Sequence, residues 1–97
     1  MAEDPAQLKA DVKSTLARLT EVAPGRAVEV RVPPYGAVQA VGGHTHRRGT
    51  PAAVVETDPV TWLALCRGEV RWADAVADGR VRASGERSDL SEFLPLP

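Results

Sequence analysis

A chain of 97 residues with 12 basic and 13 acidic side chains can build one small core, and it carries no charge excess that would draw nucleic acid or an anionic membrane. Its one cysteine, Cys66, cannot close an internal disulfide, and no apolar run approaches the ~20 residues that cross a bilayer. The totals point to a single soluble, cytoplasmic domain over residues 1–97, with no nucleic-acid partner and no integral membrane association.

The start, MAEDPAQLKADVK, is acidic and helix-patterned, unlike a secretory leader. Asp4 can cap a helix, Pro5 suits the first helical position, and Gln7 can reach back in a capping box. Leu8, Val12, Leu16, Leu19 and Val22 then form one apolar stripe, until Pro24-Gly25 ends the helix. The run RAVEVRVP alternates Val28, Val30 and Val32 with Glu29 and Arg31, as a half-buried strand does. PPYG turns the chain and AVQAV continues as a second strand, necessarily antiparallel to the first. AAVVE reads as a third strand.

Asp58-Pro59 begins a second helix, filled by VTWLALCR and stopped by Gly68. RWADAVADG is a further short helix ending at Gly79, and RVRASG a fourth strand. Ser88 or Asp89 can cap a last short helix bearing Leu90, Phe93 and Leu94, ended by Pro95. The order α-β-β-β-α-α-β-α gives an α+β class: a small, mainly antiparallel sheet of about four strands, covered on one face by helices.

Residues 57–94, TDPVTWLALCRGEVRWADAVADGRVRASGERSDLSEFL, resemble the C-terminal part of the sterol carrier protein type-two family, in its short stand-alone bacterial form. The pattern is an acidic helix start at Asp58, an apolar helix with Trp62 and Leu65, Gly68, a short helix with Ala75 and Val76, Gly79, a strand with Val81 and Ala83, and a closing Gly85. The resemblance implies a non-catalytic module that binds an apolar small molecule or a lipid acyl chain between sheet and helices, without a cofactor. It also implies an alternative, since related domains sit beside a mycothiol-dependent isomerase domain: an accessory module to such an enzyme. The family's central hairpin has no counterpart here. The short connection GGHTHRRGTP stands in its place, so a full sterol-sized tunnel is not implied.

A dry cavity of ~300 Å³ costs about 7 kcal/mol at ~24 cal/mol per Å³. That would use most of a small domain's roughly 5–15 kcal/mol. Any pocket is therefore an open groove or is occupied in the folded protein. Trp62, Leu65, Trp72, Val76, Phe93 and Leu94 are the residues expected to line it, and the competing reading is that they fill the core.

His44 and His46 share a face in an extended segment, and Glu56 or Asp58 is within sequence reach. Two histidines still fall short of the three or four ligands that zinc needs, so no metal is expected. Arg47 and Arg48, among the glycines of the same loop, are candidate anion-binding residues. A plain connection ranks ahead of the anion clamp. Asp74 and Asp78 lie four apart on a short polar helix and read as solvating charges, and Cys66 lacks a cue for thiolate activation. No enzyme is expected. A filled-core module would instead present a protein-partner or self-association surface around Tyr35 and the free sheet edge.

Overall fold

The computed structural model describes residues 4–43, 53–85 and 88–97. Helix α1 (Pro5–Val22) starts where the sequence places it. The Asp4 carboxylate accepts from the Ala6 N–H at 3.1 Å, and Pro5 stands at the first position, where no N–H is needed. The capping box does not form, because Gln7 Nε2 donates to Asp11 Oδ1 at 2.8 Å, one turn ahead on the same face. The stripe also ends differently. Val12, Leu16 and Leu19 are buried, but Val22 is 41% exposed and Ala23 takes the next buried place. At about 100° per residue, Ala23 lies nearer the stripe's axis than Val22 does.

Strands β1 (Val28–Val32) and β2 (Gly36–Ala40) form the expected antiparallel hairpin, in register from Val28↔Ala40 to Val32↔Gly36. The Tyr35 N–H closes the turn on the Val32 carbonyl at 3.0 Å. Strand β3 (Ala53–Thr57) pairs with the other edge of β1 and runs parallel to it, Val28 opposite Ala53 and Val30 opposite Val55. Because β2 already holds one edge of β1, the chain crosses to the free edge and returns in β1's own direction. Strand β4 (Val81–Ser84) adds antiparallel to β3, giving the order β2-β1-β3-β4. The sheet is thus mixed but mainly antiparallel.

Between β3 and β4 run helices α2 (Pro59–Arg67) and α3 (Trp72–Ala77). Asp58 caps α2 with both oxygens, accepting from the Thr61 N–H at 2.8 Å and the Thr61 hydroxyl at 2.7 Å. Gly68, at φ 76°, ends it in the left-handed conformation that a residue with a Cβ resists. The last expected helix is a single 3-10 turn, Ser91–Phe93. Pro95 follows too closely for an α-helix to propagate.

The period-two pattern divides the sheet's faces. Val28, Val30, Val32, Val55 and Val81 point into one core with Val12, Leu16 and Leu19 of α1, Trp62 and Leu65 of α2 and Ala75 of α3. Glu29, Arg31, Glu56 and Arg82 fall on the opposite face. Trp62 is fully buried, so its indole N–H must find a partner, and it donates to Thr15 Oγ1 at 2.8 Å. The Thr15 hydroxyl sits 2.7 Å from the Asp11 carbonyl and 3.0 Å from that of Val12, either of which can take its proton.

The end of β2 is locked to the end of α1. Val41 is buried in the left-handed region at φ 70°, an unusual place for a β-branched residue. Its N–H donates to the Ala23 carbonyl at 2.6 Å and its carbonyl accepts from the Ala27 N–H at 2.9 Å. Gly25, at φ 142°, passes so near that an added Cβ would overlap the Val41 carbonyl.

Two stability outcomes follow in urea unfolding. Thr15→Val strands the Trp62 N–H and costs about 1–3 kcal/mol. Combined with Trp62→Phe, which removes the donor, it costs clearly less than the sum of the two changes, and strict additivity would show the bond to be unimportant. Gly25→Ala costs at least about 2 kcal/mol, since it meets both a forbidden φ and a backbone clash.

Candidate functional site

The link Arg67–Trp72 is short, and the left-handed turn at Gly68 folds it back beside the C-terminal segment. That segment is anchored by Leu90, which is fully buried, and by the Leu96 N–H, which donates to the Cys66 carbonyl at 3.0 Å. A Cβ on Gly68 would sit 3.4 Å from the Pro95 ring, so the two stretches run in contact. Between them opens a groove of about 320 Å³. Leu65 forms part of its lining from α2, with Gly68, Val70 and Arg71 from the link, Trp72 and Ala73 from α3, and Ser91, Leu94 and Pro95 from the C-terminal segment.

The six residues proposed from sequence as a lining therefore separate. Leu65, Trp72 and Leu94 meet in this groove. Trp62 is wholly inside the core, and Phe93 packs against that core from outside without lining the groove. Val76 lies on another, wider depression of about 390 Å³ around β4, with Val54, Glu56, Val81, Arg82, Ala83 and Ser84. Sequence reasoning missed Val70, Arg71 and Ser91. The signal was present in Gly68, which marks a tight return of the chain, but the segment met on that return is a tertiary matter.

Between sheet and helices, where the ligand is expected from sequence, the described side chains are tightly packed. Val28, Val30, Val32 and Val55 of the sheet and Trp62 of α2 all have zero exposure, and a small core reaches that only by close packing. Tyr35 packs half-buried against the same core.

The charged candidates are also placed. His44, His46, Arg47 and Arg48 lie outside the described residues. Asp58 is committed to capping: partial burial works against its charge, but hydrogen bonds from the Thr61 N–H and hydroxyl outweigh it and hold the carboxyl below its ordinary range. Glu56 stands between Arg31 and Arg82 on the open sheet face. Asp78 is engaged by Arg80, with Nε to Oδ1 at 2.9 Å, and the guanidinium holds its carboxyl below the ordinary range. Among the described residues no group of three or more His, Cys, Asp or Glu side chains is placed to hold a metal ion, and no helix is long and apolar enough to cross a membrane.

Cys66 is a free thiol buried beneath the C-terminal segment. Burial pushes its pKa up to about 12, against a smaller downward pull from the Thr15 hydroxyl and Arg67. The thiol is neutral at physiological pH and poorly suited to nucleophilic attack.

A sheet covered on one face by helices, with a shallow apolar groove at their edge, defines a small α+β module of the sterol-carrier kind. The family model SCP_3, described as bacterial SCP ortholog, matches residues 4–96, and the chain belongs to that family. The match takes in α1 and the β1–β2 hairpin as well as the C-terminal stretch that carries the resemblance in sequence. No curated protein matches the chain.

In the native protein, Cys66 is expected to resist a thiol-labelling disulfide reagent at pH 8 and to react fully once unfolded. Fast native labelling would contradict its burial. Above its ordinary value of 9.0, the unfolded thiol loses its proton while the folded one keeps it. The native state then binds more protons, so this group's contribution to stability falls as pH rises from about 9 toward 12.

Proposed function

We propose that the protein is a non-catalytic, sterol-carrier-like module that holds a small apolar molecule or a lipid acyl chain in the groove between α2, α3 and the C-terminal segment. The observation carrying this reading is the concave, largely apolar surface of about 320 Å³, at the low end of the ~300–1,000 Å³ typical of ligand sites. Membership of the bacterial SCP family supports it. The reading includes no catalytic role: the buried Cys66 thiol is protonated, Asp58 is a helix cap and Asp78 is paired with Arg80. It assigns no cofactor, and it places the module in the cytoplasm, supported by the lone, unpaired Cys66.

The filled sheet–helix interface favours a second reading, an accessory module that has lost the family's cavity and acts through its surface. A mycothiol-dependent enzyme is the partner that the family resemblance suggests for it.

Trp72 lines the groove and Trp62 does not, so ligand entry is expected to change Trp72 fluorescence, and a Trp72→Phe protein should lose the response. Ala73→Phe, an exposed position on the groove wall, should weaken binding about tenfold, a loss of roughly 1.4 kcal/mol. Its effect on stability should stay within about 0.5 kcal/mol, as for other surface changes. Native mass spectrometry of protein purified gently from its host separates the two readings. A bound small-molecule mass supports the carrier, whereas a bare monomer that no apolar ligand shifts, or a protein complex, supports the accessory module.

A further inference from the structure

We propose that the groove selects ligands with an anionic head, and that Arg71 is the residue that selects them. The inference rests on the carrier reading above and adds a chemical class to it.

The groove's lining includes Leu65, which is buried beneath it, and Val70, Leu94 and Pro95, none of which offers a side-chain hydrogen bond, and Trp72, whose indole N–H is its one donor. Besides that indole N–H, the polar side chains on its lining are Arg71 and Ser91, one from each wall. Arg31 is bound to Glu29, Arg67 reaches Asp11 at 3.6 Å and Arg80 is paired with Asp78, whereas Arg18 and Arg82 make no ion pair with a described residue but do not line the groove. Arg71 makes no ion pair with any described residue, and although it precedes α3 its side chain caps nothing. Ser91 is engaged through its backbone, its N–H donating to Asp89 Oδ1 at 2.8 Å and its carbonyl accepting from the Leu94 N–H at 3.4 Å, and its hydroxyl has no partner among the described residues. Glu69 and Glu92 adjoin groove residues in sequence, but they are exposed and do not line it.

A guanidinium stays charged at every physiological pH and matches a carboxylate or phosphate with two parallel N–H donors. Beside an apolar trough it favours an amphipath lying with its chain along Val70, Trp72 and Leu94 and its anionic head at Arg71 and Ser91. The volume of about 320 Å³ suits a short chain better than a sterol-sized body. Since Arg71 is exposed, its contribution is that of a solvent-screened pair, a roughly three- to fivefold preference that shrinks in high salt.

The test is a Trp72 fluorescence titration of the full chain with decanoate and decyltrimethylammonium below their micelle-forming concentrations and decanol below its solubility limit. Decanoate should bind roughly three- to fivefold more tightly than decanol, with the cation weakest and the gap narrowing as salt is raised. Arg71→Gln should bring decanoate down to the affinity of decanol and leave decanol unchanged, whereas Arg71→Lys should keep part of the preference. Equal binding of decanoate and decanol by the wild-type protein would overturn charge selection and leave the carrier reading standing. A preference that survives Arg71→Gln would overturn the role of Arg71. If none of the three binds, the carrier reading fails and the selectivity fails with it.

Discussion

The structure depends on where one indole ring sits. Trp62 is the largest wholly buried side chain, and it fills the space over the valines of β1 and β3. A ring of that size contributes more apolar burial than any other residue here, but only if its N–H is not stranded in a dry interior. Thr15 resolves this. It lies on α1 one turn before Leu19, and its hydroxyl accepts the indole proton at 2.8 Å while sitting within hydrogen-bond reach of its own helix's carbonyls. The bond ties α1 to α2 across 47 residues of sequence, and Cys66, one turn after Trp62, is buried against the same threonine. The first and second helices are thus joined over the sheet by a satisfied buried contact, with Arg67 and Asp11 meeting at 3.6 Å nearer the surface.

A filled interior has a consequence for function. A domain of this length buries only about two-thirds of the surface its unfolded chain exposes, so a large internal void would consume most of its stability. Concave surface is cheaper at the edge of the helix layer, where water can enter and no packed atoms are lost. That is where the C-terminal segment, held by Leu90 and by the Leu96–Cys66 backbone bond, leaves a trough beside α3. Trp62 occupies the middle of the sheet-and-helix frame.

The other sheet face has a different character. Arg31, Glu56 and Arg82 stand in one cross-strand row, with Glu29 bound to Arg31 beside them. Opposite charges alternate along the row, so the face carries no large excess of one sign. The free edge at β4 is four residues long and carries Arg82, features that discourage another strand from adding to it.

Local chemistry made much of the fold legible. Asp4-Pro5 and Asp58-Pro59 mark helix starts, Gly68 a helix stop, and the alternation in VEVRV a strand with one dry face, because caps, left-handed turns and side-chain periodicity act within a few residues. The errors arose where short-range rules compete: Gln7 had a better partner in Asp11, Val22 lost its buried place to Ala23, and Pro95 cut the last helix to one turn. The groove was only half legible. Leu65, Trp72 and Leu94 were recognisable as apolar, but nothing in their spacing distinguishes them from Trp62, which fills the core, or Val76, which faces β4. By itself the sequence determined the elements, the inward face of each and the class of sheet. Only the tertiary structure decided that β3 runs parallel to β1, that the core closes around Trp62, and that Arg71 stands at the rim of an apolar trough. Those outcomes depend on which distant segments share space, and pattern within one segment carries no information about that.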